Sequence, residues 1–284
     1  MSALAAMDAA ILAVLGALVG SFLNVVIHRL PRMLERRWAE ECGSLQEDAA
    51  PPADDGQGAY NLLVPRSACP RCGHRIRWFE NIPVFSYAAL RGRCASCRSP
   101  IGLRYPLVEL LTALLFAWCG WQWGLSGTAL AWCGFSAAIV ALAGIDWDTT
   151  LLPDDITLPL LWAGLALSAL GVLQVPLADA VWGAIAGYLS LWLVYWAFKL
   201  ATGKEGMGYG DFKLFAALGA WFGWSALVPI ILMASVIGAM VGIGIKLAGQ
   251  LREGGYVPFG PFLALAGLTA MIIEPHRILS AIGL

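Results

Sequence analysis

The chain carries little charge. Asp, Glu, Lys and Arg together make up 13% of its 284 residues, whereas soluble domains contain about 25%. Hydrophobic residues account for 59%, and 13 tryptophans strengthen this bias. The composition excludes an ordinary soluble domain and predicts an all-α polytopic membrane protein. A formal net charge of −1 gives no indication of nucleic-acid binding, and we expect no nucleic-acid partner.

A cleavable leader pattern and internal repeats are also lacking. The first apolar segment is flanked by the acidic Asp8, and no small-residue cleavage site follows it. What the chain does contain is a series of apolar segments, and a spanning helix needs roughly 20 such residues. We predict about eight transmembrane helices, of which the sixth is short, at residues 7–27, 106–123, 128–145, 156–174, 179–200, 211–224, 226–248 and 258–273.

Arginine and lysine are unevenly distributed along the chain. Twelve of the eighteen lie within residues 28–105. Because cytoplasmic loops carry an excess of these residues, this segment is predicted to be cytoplasmic and the N-terminus to lie outside. Eight spans leave only Arg277 outside among the remaining basic residues. The other five fall on the cytoplasmic side: Lys199, Lys204, Lys213, Lys246 and Arg252.

The predicted cytoplasmic insert divides into two parts. Residues 35–61 are acidic and rich in Pro, Gly and Ala, which is typical of a flexible linker. Residues 62–105 contain two Cys-x2-Cys knuckles, formed by Cys69, Cys72, Cys94 and Cys97. This spacing predicts a tetrahedral structural zinc site, since a loop this small buries little core and needs a cross-link. His74 is an alternative ligand. The insert is therefore expected to be zinc-ribbon-like.

Four aspartates follow the third apolar segment within ten residues. Asp154 and Asp155 precede the next apolar segment, and we expect them to cap its helix. Asp148 is expected to be solvated in the loop. Asp146 follows Ile145 directly, so it is predicted to lie in the last turn of the third helix, at the membrane boundary.

Asp211 begins the sixth apolar segment, and the span count places it on the same side as Asp146. Acidic residues at membrane depth are costly and mark functional sites. Two carboxylates brought together can share one proton and activate water. Gly206, Gly208 and Gly210 permit close approach of an extended peptide backbone. The pattern predicts an aspartyl protease pair.

At this point the sequence resembles type IV prepilin peptidases, in their bifunctional form with N-methyltransferase activity. The resemblance covers nearly the whole chain. Its GxGD motif, Gly208-Tyr209-Gly210-Asp211, is weak alone but specific in combination with the Asp146 segment and the cysteines. The matching segments are "GSFLNVVIHRLP" (20–31), "CPRC…CASC", "WFENIPVFSY" (78–87), "RYPLVELL" (104–111), "IDWDTTLLPD" (145–154), "GKEGMGYGDFKL" (203–214) and "PFGPFLALAG" (258–267).

The resemblance implies that Asp146 and Asp211 are the catalytic pair, with the Gly208–Gly210 loop at the substrate. It further implies that the substrates are type IV prepilins or type II secretion pseudopilins, whose short basic leader is removed at the cytoplasmic face of the bacterial inner membrane. The new N-terminal residue would be methylated from S-adenosyl-L-methionine. The expected domains are a first transmembrane helix (1–27), a methyltransferase-associated insert (28–105) and a seven-helix peptidase domain (106–284).

The sequence does not locate the methyl-transfer site, because no GxGxG-type cofactor loop follows a strand. For the arginines among the candidates, headgroup anchoring is the simpler interpretation. Asn24 could equally form an interhelical hydrogen bond, and Glu109 an ion pair with Arg104 or Arg29. The candidates lie in 20–31 and 66–109: Asn24, Arg29, Glu80, Asn81, Arg91, Arg93, Arg104 and Glu109.

Three other functions compete with this interpretation. The first is a peptidase without methyltransferase activity. The second is a proton-coupled transporter that uses Asp146 and Asp211 as proton carriers, although transporter sites usually lie near the midplane of the bilayer. The third is a non-enzymatic scaffold held by its zinc loop, which would not need two paired aspartates.

Overall fold

The computed structural model describes residues 3–44, 60–249 and 257–273. Helix makes up 75% of the structure. In the described ranges the only β-structure is a pair of isolated antiparallel bridges, Ala68–Arg75 and Arg93–Pro100. The all-α prediction is therefore confirmed. The helices are α1 (Ala3–Ser44), α2 (Phe85–Ala89), α3 (Arg104–Trp123), α4 (Gly127–Thr149), α5 (Asp154–Ala169), α6 (Leu177–Thr202), α7 (Tyr209–Phe222), α8 (Leu227–Leu247) and α9 (Gly260–Ile272).

Every predicted spanning segment contains a helix. Four of these helices are long and apolar enough to cross a membrane: Ala3–Gly43, Gly127–Thr149, Leu177–Thr202 and Trp224–Leu247. A fifth, α9, is apolar but shorter. The chain therefore has the helices of a membrane protein, and the total of eight spans stays a prediction.

The linker prediction is wrong at its start. Helix α1 continues to Ser44, so residues 35–44 are helical. Glu and Arg make up half of this stretch, and these good helix formers extend the helix beyond its apolar part. Residues 45–59, which make up most of the predicted linker, lie outside the described residues, as do Arg252 and Arg277.

The chain divides into two compact units, Met1–Cys133 and Gly134–Leu284. In the first unit, α1 packs along α3 with glycine at the contact. A Cβ added to Gly16 would lie 2.7 Å from the Thr112 carbonyl oxygen, and one added to Gly20 would lie 2.7 Å from the Glu109 Cα. Because no side chain separates the two backbones there, the helices approach as closely as small-residue interfaces in membranes allow.

The second unit is organised around α7, whose residues from Asp211 to Trp221 are all buried except Lys213. Gly183 of α6 and Gly219 of α7 pack backbone against backbone. At the end of α7, the indole N–H of Trp221 donates a hydrogen bond of 2.8 Å to the carbonyl of Leu160 in α5. These contacts fix the short helix, and with it the position of Asp211.

Candidate active site and metal site

Asp146 and Asp211 lie together in the second unit. Asp146 is in the last turn of α4 and Asp211 in the first turn of α7, as predicted. Their exposed fractions are 5% and 4%, and the two carboxylates are close enough to interact electrostatically. Two buried like charges at short range favour a shared proton. The arrangement has the parts that acid–base activation of water requires.

The Asp211 carboxylate is held from one side only. Its Oδ2 accepts a hydrogen bond of 3.2 Å from the backbone N–H of Gly208, the residue that caps α7. Its Oδ1 is buried and has no hydrogen-bond partner among the described residues. Because a buried oxygen without a partner is costly, it marks a place where a ligand or water completes the site.

A third segment, at the start of α9, completes the surroundings of the pair. A Cβ on Gly260 would lie 2.5 Å from Oδ2 of Asp146, so this glycine's backbone packs directly on the carboxylate. Leu152 is buried and lies against Gly210, where a Cβ would stand 2.6 Å from the leucine Cβ. Both glycines therefore have a steric role. Gly260 lies in the segment "PFGPFLALAG" (258–267), which matched the family, but nothing in the sequence indicated that this glycine contacts Asp146.

The predicted substrate loop, Gly208–Gly210, is bordered by aromatic rings. The side chain of Tyr209 is 49% exposed, and its ring lies 5.2 Å from that of Tyr195 in α6. Lys199 donates hydrogen bonds to the Tyr195 hydroxyl at 3.2 Å and to the Glu205 carboxylate at 2.8 Å. The residues before Asp211 are thus held onto the end of α6.

Two predictions for the neighbouring aspartates are wrong. Asp154 and Asp155 do not cap α5, because Pro153 occupies the capping position and both aspartates lie in the first turn. The Asp154 carboxylate accepts hydrogen bonds from the Lys213 ammonium at 2.7 Å, which ties α5 to α7. Asp148 is exposed but helical, because α4 continues to Thr149.

The four predicted cysteine ligands come together in the first unit. Their sulfur atoms all lie within 4.8 Å of one another. The Cys69–Cys97 distance is 3.8 Å and the Cys72–Cys94 distance is 4.0 Å. A tetrahedral ion with metal–sulfur bonds of about 2.3 Å requires sulfur separations of about 3.8 Å. The donor set therefore fits one tetrahedral metal ion.

The two cysteine knuckles have the same local structure. In each, the first cysteine's carbonyl accepts a hydrogen bond from the residue four positions later, Gly73 or Arg98. Both residues have positive φ, 69° and 60°, which is strained for the arginine. The alternative ligand His74 is engaged elsewhere, because its Nε2 lies 3.1 Å from the Glu80 carboxylate.

Buried polar side chains join α1 and α3 to the insert. Asn24 donates to the Tyr105 carbonyl at 3.1 Å, the interhelical bond that was one of two alternatives. Arg29 is buried and is not a headgroup anchor, because its guanidinium donates to the carbonyls of Asn61 and Pro65 at 3.0 and 2.6 Å. Glu109 accepts a hydrogen bond of 2.8 Å from the backbone N–H of Val84. Sequence spacing gave no signal for these pairings.

Comparison with known proteins agrees with this arrangement. Residues 14–123 match the Bacterial Peptidase A24 N-terminal domain, and residues 133–243 match the Type IV leader peptidase family. No solved structure matches the chain.

Curated relatives extend the match over most of the chain. A prepilin leader peptidase/N-methyltransferase of Burkholderia pseudomallei (strain K96243) is 54% identical over 93% of this chain and 85% of the relative. Proteins with the same name from Aeromonas salmonicida (strain A449) and Pseudomonas aeruginosa are 55% and 52% identical, over 90% and 91% of this chain and 87% and 88% of each relative. The family models and the relatives, together with the apolar helices, thus define a membrane peptidase with an additional N-terminal domain. The chain belongs to the type IV leader peptidase family.

Proposed function

We propose that this protein removes the short basic leader from type IV prepilins or type II secretion pseudopilins and then N-methylates the new N-terminal residue. The observation that carries the peptidase activity is the buried pair Asp146 and Asp211 in one compact unit. The relatives, which are 54% and 55% identical to this chain over the aligned residues, carry both activities in their names.

In the proposed cleavage, one carboxylate accepts a proton from water and the other donates a proton to the departing amine. The water oxygen bonds to the scissile carbonyl carbon, and the carbon–nitrogen bond then breaks. The Asp211 Oδ1 is a buried oxygen without a hydrogen-bond partner among the described residues, and it could accept one from the water. The loop Gly208–Gly210 lies before it, where an extended peptide backbone can approach.

In the proposed methylation, S-adenosyl-L-methionine supplies an electrophilic methyl group to the neutral amine, its sulfur keeps the electron pair of the broken bond, and the methylated amine loses its proton to water. The four cysteines would hold one structural Zn²⁺, giving the insert a zinc-ribbon-like centre. We retain the domain division proposed from the sequence: 1–27, 28–105 and 106–284. We also retain eight spans in the bacterial inner membrane, a periplasmic N-terminus and a cytoplasmic insert.

One experiment tests both activities. Purified protein is incubated with a synthetic prepilin peptide and S-adenosyl-L-methionine, and the products are weighed by mass spectrometry. We expect the peptide to lose its leader, and the remaining mature peptide to carry one methyl group. Cleavage without methylation would select the peptidase-only alternative, and an unchanged peptide would contradict the proposed function.

A further inference from the structure

The connector between α4 and α5, residues 150–153, begins with a strained turn. The N–H of Thr150 donates to the carbonyl of Asp146 at 2.9 Å, and the φ of Thr150 is 55°. Helices that end in this way usually have glycine or asparagine at the position, because a positive φ is unfavourable for a β-branched residue. Such strain persists only where the surroundings enforce it. The end of α4 is therefore held by contacts made further along the connector.

Leu152 makes the buried contacts of the connector, and it touches both glycines that border the catalytic pair. A Cβ added to Gly210, the residue before Asp211, would lie 2.6 Å from the Leu152 Cβ. A Cβ added to Gly260 would lie 3.1 Å from the Leu152 Cδ1 and 2.5 Å from Oδ2 of Asp146. Because both positions are glycines, this one leucine packs against the backbone at the start of α7 and at the start of α9.

The residue that follows the connector is also tied to α7. Asp154, the first residue of α5, accepts hydrogen bonds of 2.7 Å from the ammonium of Lys213, two residues after Asp211. Both side chains are partly exposed, and such pairs contribute little to stability by themselves. The pair nevertheless extends the contact that Leu152 makes at Gly210. The chain leaving Asp146 is thus attached to α7 on both sides of Asp211.

We propose that Leu152 is a positioning residue that sets the separation of the Asp146 and Asp211 carboxylates. The inference rests on the proposed peptidase function. A hydrocarbon side chain holds no proton, so Leu152 acts only through the two glycines that it packs against. Proton transfer requires the reacting groups to be within hydrogen-bond reach, and a misplacement of about 1 Å can cost about 10²-fold in rate. A buried leucine that contacts the surroundings of both carboxylates is placed to prevent such a misplacement.

The test separates kcat from KM. Cleavage of a synthetic prepilin peptide by the purified full-length protein in detergent is measured over a range of peptide concentrations. Leu152→Ala should lower kcat by roughly 10–100-fold and leave KM within about twofold of wild type, because both carboxylates remain but their separation is no longer fixed. Leu152→Met conserves the volume of the side chain and should keep kcat within about threefold of wild type.

Leu173→Ala is the matched control. Leu173 is buried like Leu152, but it follows the other end of α5. Both Ala variants remove the same atoms and leave a cavity, so both should lower the thermal unfolding temperature. Only Leu152→Ala should lower kcat, which distinguishes positioning from a general loss of packing. If Leu152→Ala does not fold, Leu152→Val takes its place, and its smaller change should still lower kcat several-fold while Leu152→Met stays near wild type.

The outcomes that overturn the inference are distinguishable. If the wild type leaves the peptide uncut, the proposed function fails and the inference fails with it. If the wild type cleaves and Leu152→Ala, or Leu152→Val in its place, keeps the wild-type kcat, only the positioning role fails. Equal losses of kcat in Leu152→Ala and Leu173→Ala would reduce Leu152 to a packing residue. A raised KM with an unchanged kcat would assign Leu152 to substrate binding instead.

Discussion

Buried polar side chains are used in opposite ways in the two units. In the first, Arg29 donates to two loop carbonyls and Glu109 accepts from a loop N–H. In the second, Asp211 has one filled oxygen and one buried oxygen without a described partner. A satisfied buried charge fixes structure, and an unsatisfied one is available for chemistry. The difference supports the proposed catalytic role of Asp211 and a structural role for Arg29 and Glu109.

The aspartates should give the largest effect. Asp146→Asn or Asp211→Asn should reduce prepilin cleavage by about 10²–10⁴-fold or more, because an amide cannot take or give the required proton. Cleavage is followed by mass spectrometry. Methylation of a peptide supplied without its leader should persist, since the insert to which we assign methyl transfer lies in the other unit.

The neighbouring carboxylates provide matched controls. Asp148 and Asp155 are exposed, and their Asn variants should keep most of the activity. Full cleavage by the Asp146→Asn protein would remove Asp146 from the catalytic pair. Loss of methylation in the Asp146→Asn protein would contradict the assignment of cleavage and methylation to different units.

A smaller loss of cleavage is expected from Gly260→Ala. The new Cβ would meet the Asp146 carboxylate at 2.5 Å and displace it, and a misplacement of about 1 Å can cost about 10²-fold in rate. The control is Gly242→Ala in α8, where an added Cβ meets nothing within 4 Å. Wild-type cleavage by Gly260→Ala, measured beside that control, would show that close packing on Asp146 is dispensable.

The four cysteines test the first unit in the same way as the aspartates test the second. Replacing one cysteine ligand by Ser should lower the metal content measured by elemental analysis, because the ligand set is broken and metal binding is coupled to local folding. This applies to each of Cys69, Cys72, Cys94 and Cys97. Methylation should fall more than cleavage. A protein purified without chelator that contains no zinc would contradict the metal assignment.

The smallest effect is expected at the exposed ion pair behind the substrate loop. Glu205→Gln removes the partner of Lys199, but exposed pairs contribute little, so cleavage at neutral pH should stay within about twofold of wild type. The hydrogen bond from Lys199 lowers the pKa of Glu205, so the pair persists above the ordinary carboxylate pKa and is lost as pH falls through the lowered value. A large loss of cleavage in Glu205→Gln would assign this carboxylate a direct role with the substrate.

The sequence was informative where function depends on local spacing. The two Cys-x2-Cys knuckles and the positions of Asp146 and Asp211 at helix ends follow from short patterns, and the structure places them as expected. The contacts of Gly260 with Asp146 and of Glu109 with Val84 could not be predicted. They join positions far apart in the chain, and they depend on backbone approach rather than on residue type.

The length of α7 has a consequence for the lipid. Its 14 residues rise about 1.5 Å each, giving about 21 Å, whereas a bilayer's hydrocarbon core is about 30 Å thick. In the proposed eight-span arrangement, in which α7 is the sixth span, a helix of this length leaves its Asp211 end below the level of the headgroups, or the bilayer thins around it. Leader removal should therefore depend on acyl-chain length, with slower cleavage in thicker vesicles. The peptidase would in this way be matched to the thickness of the membrane that contains it.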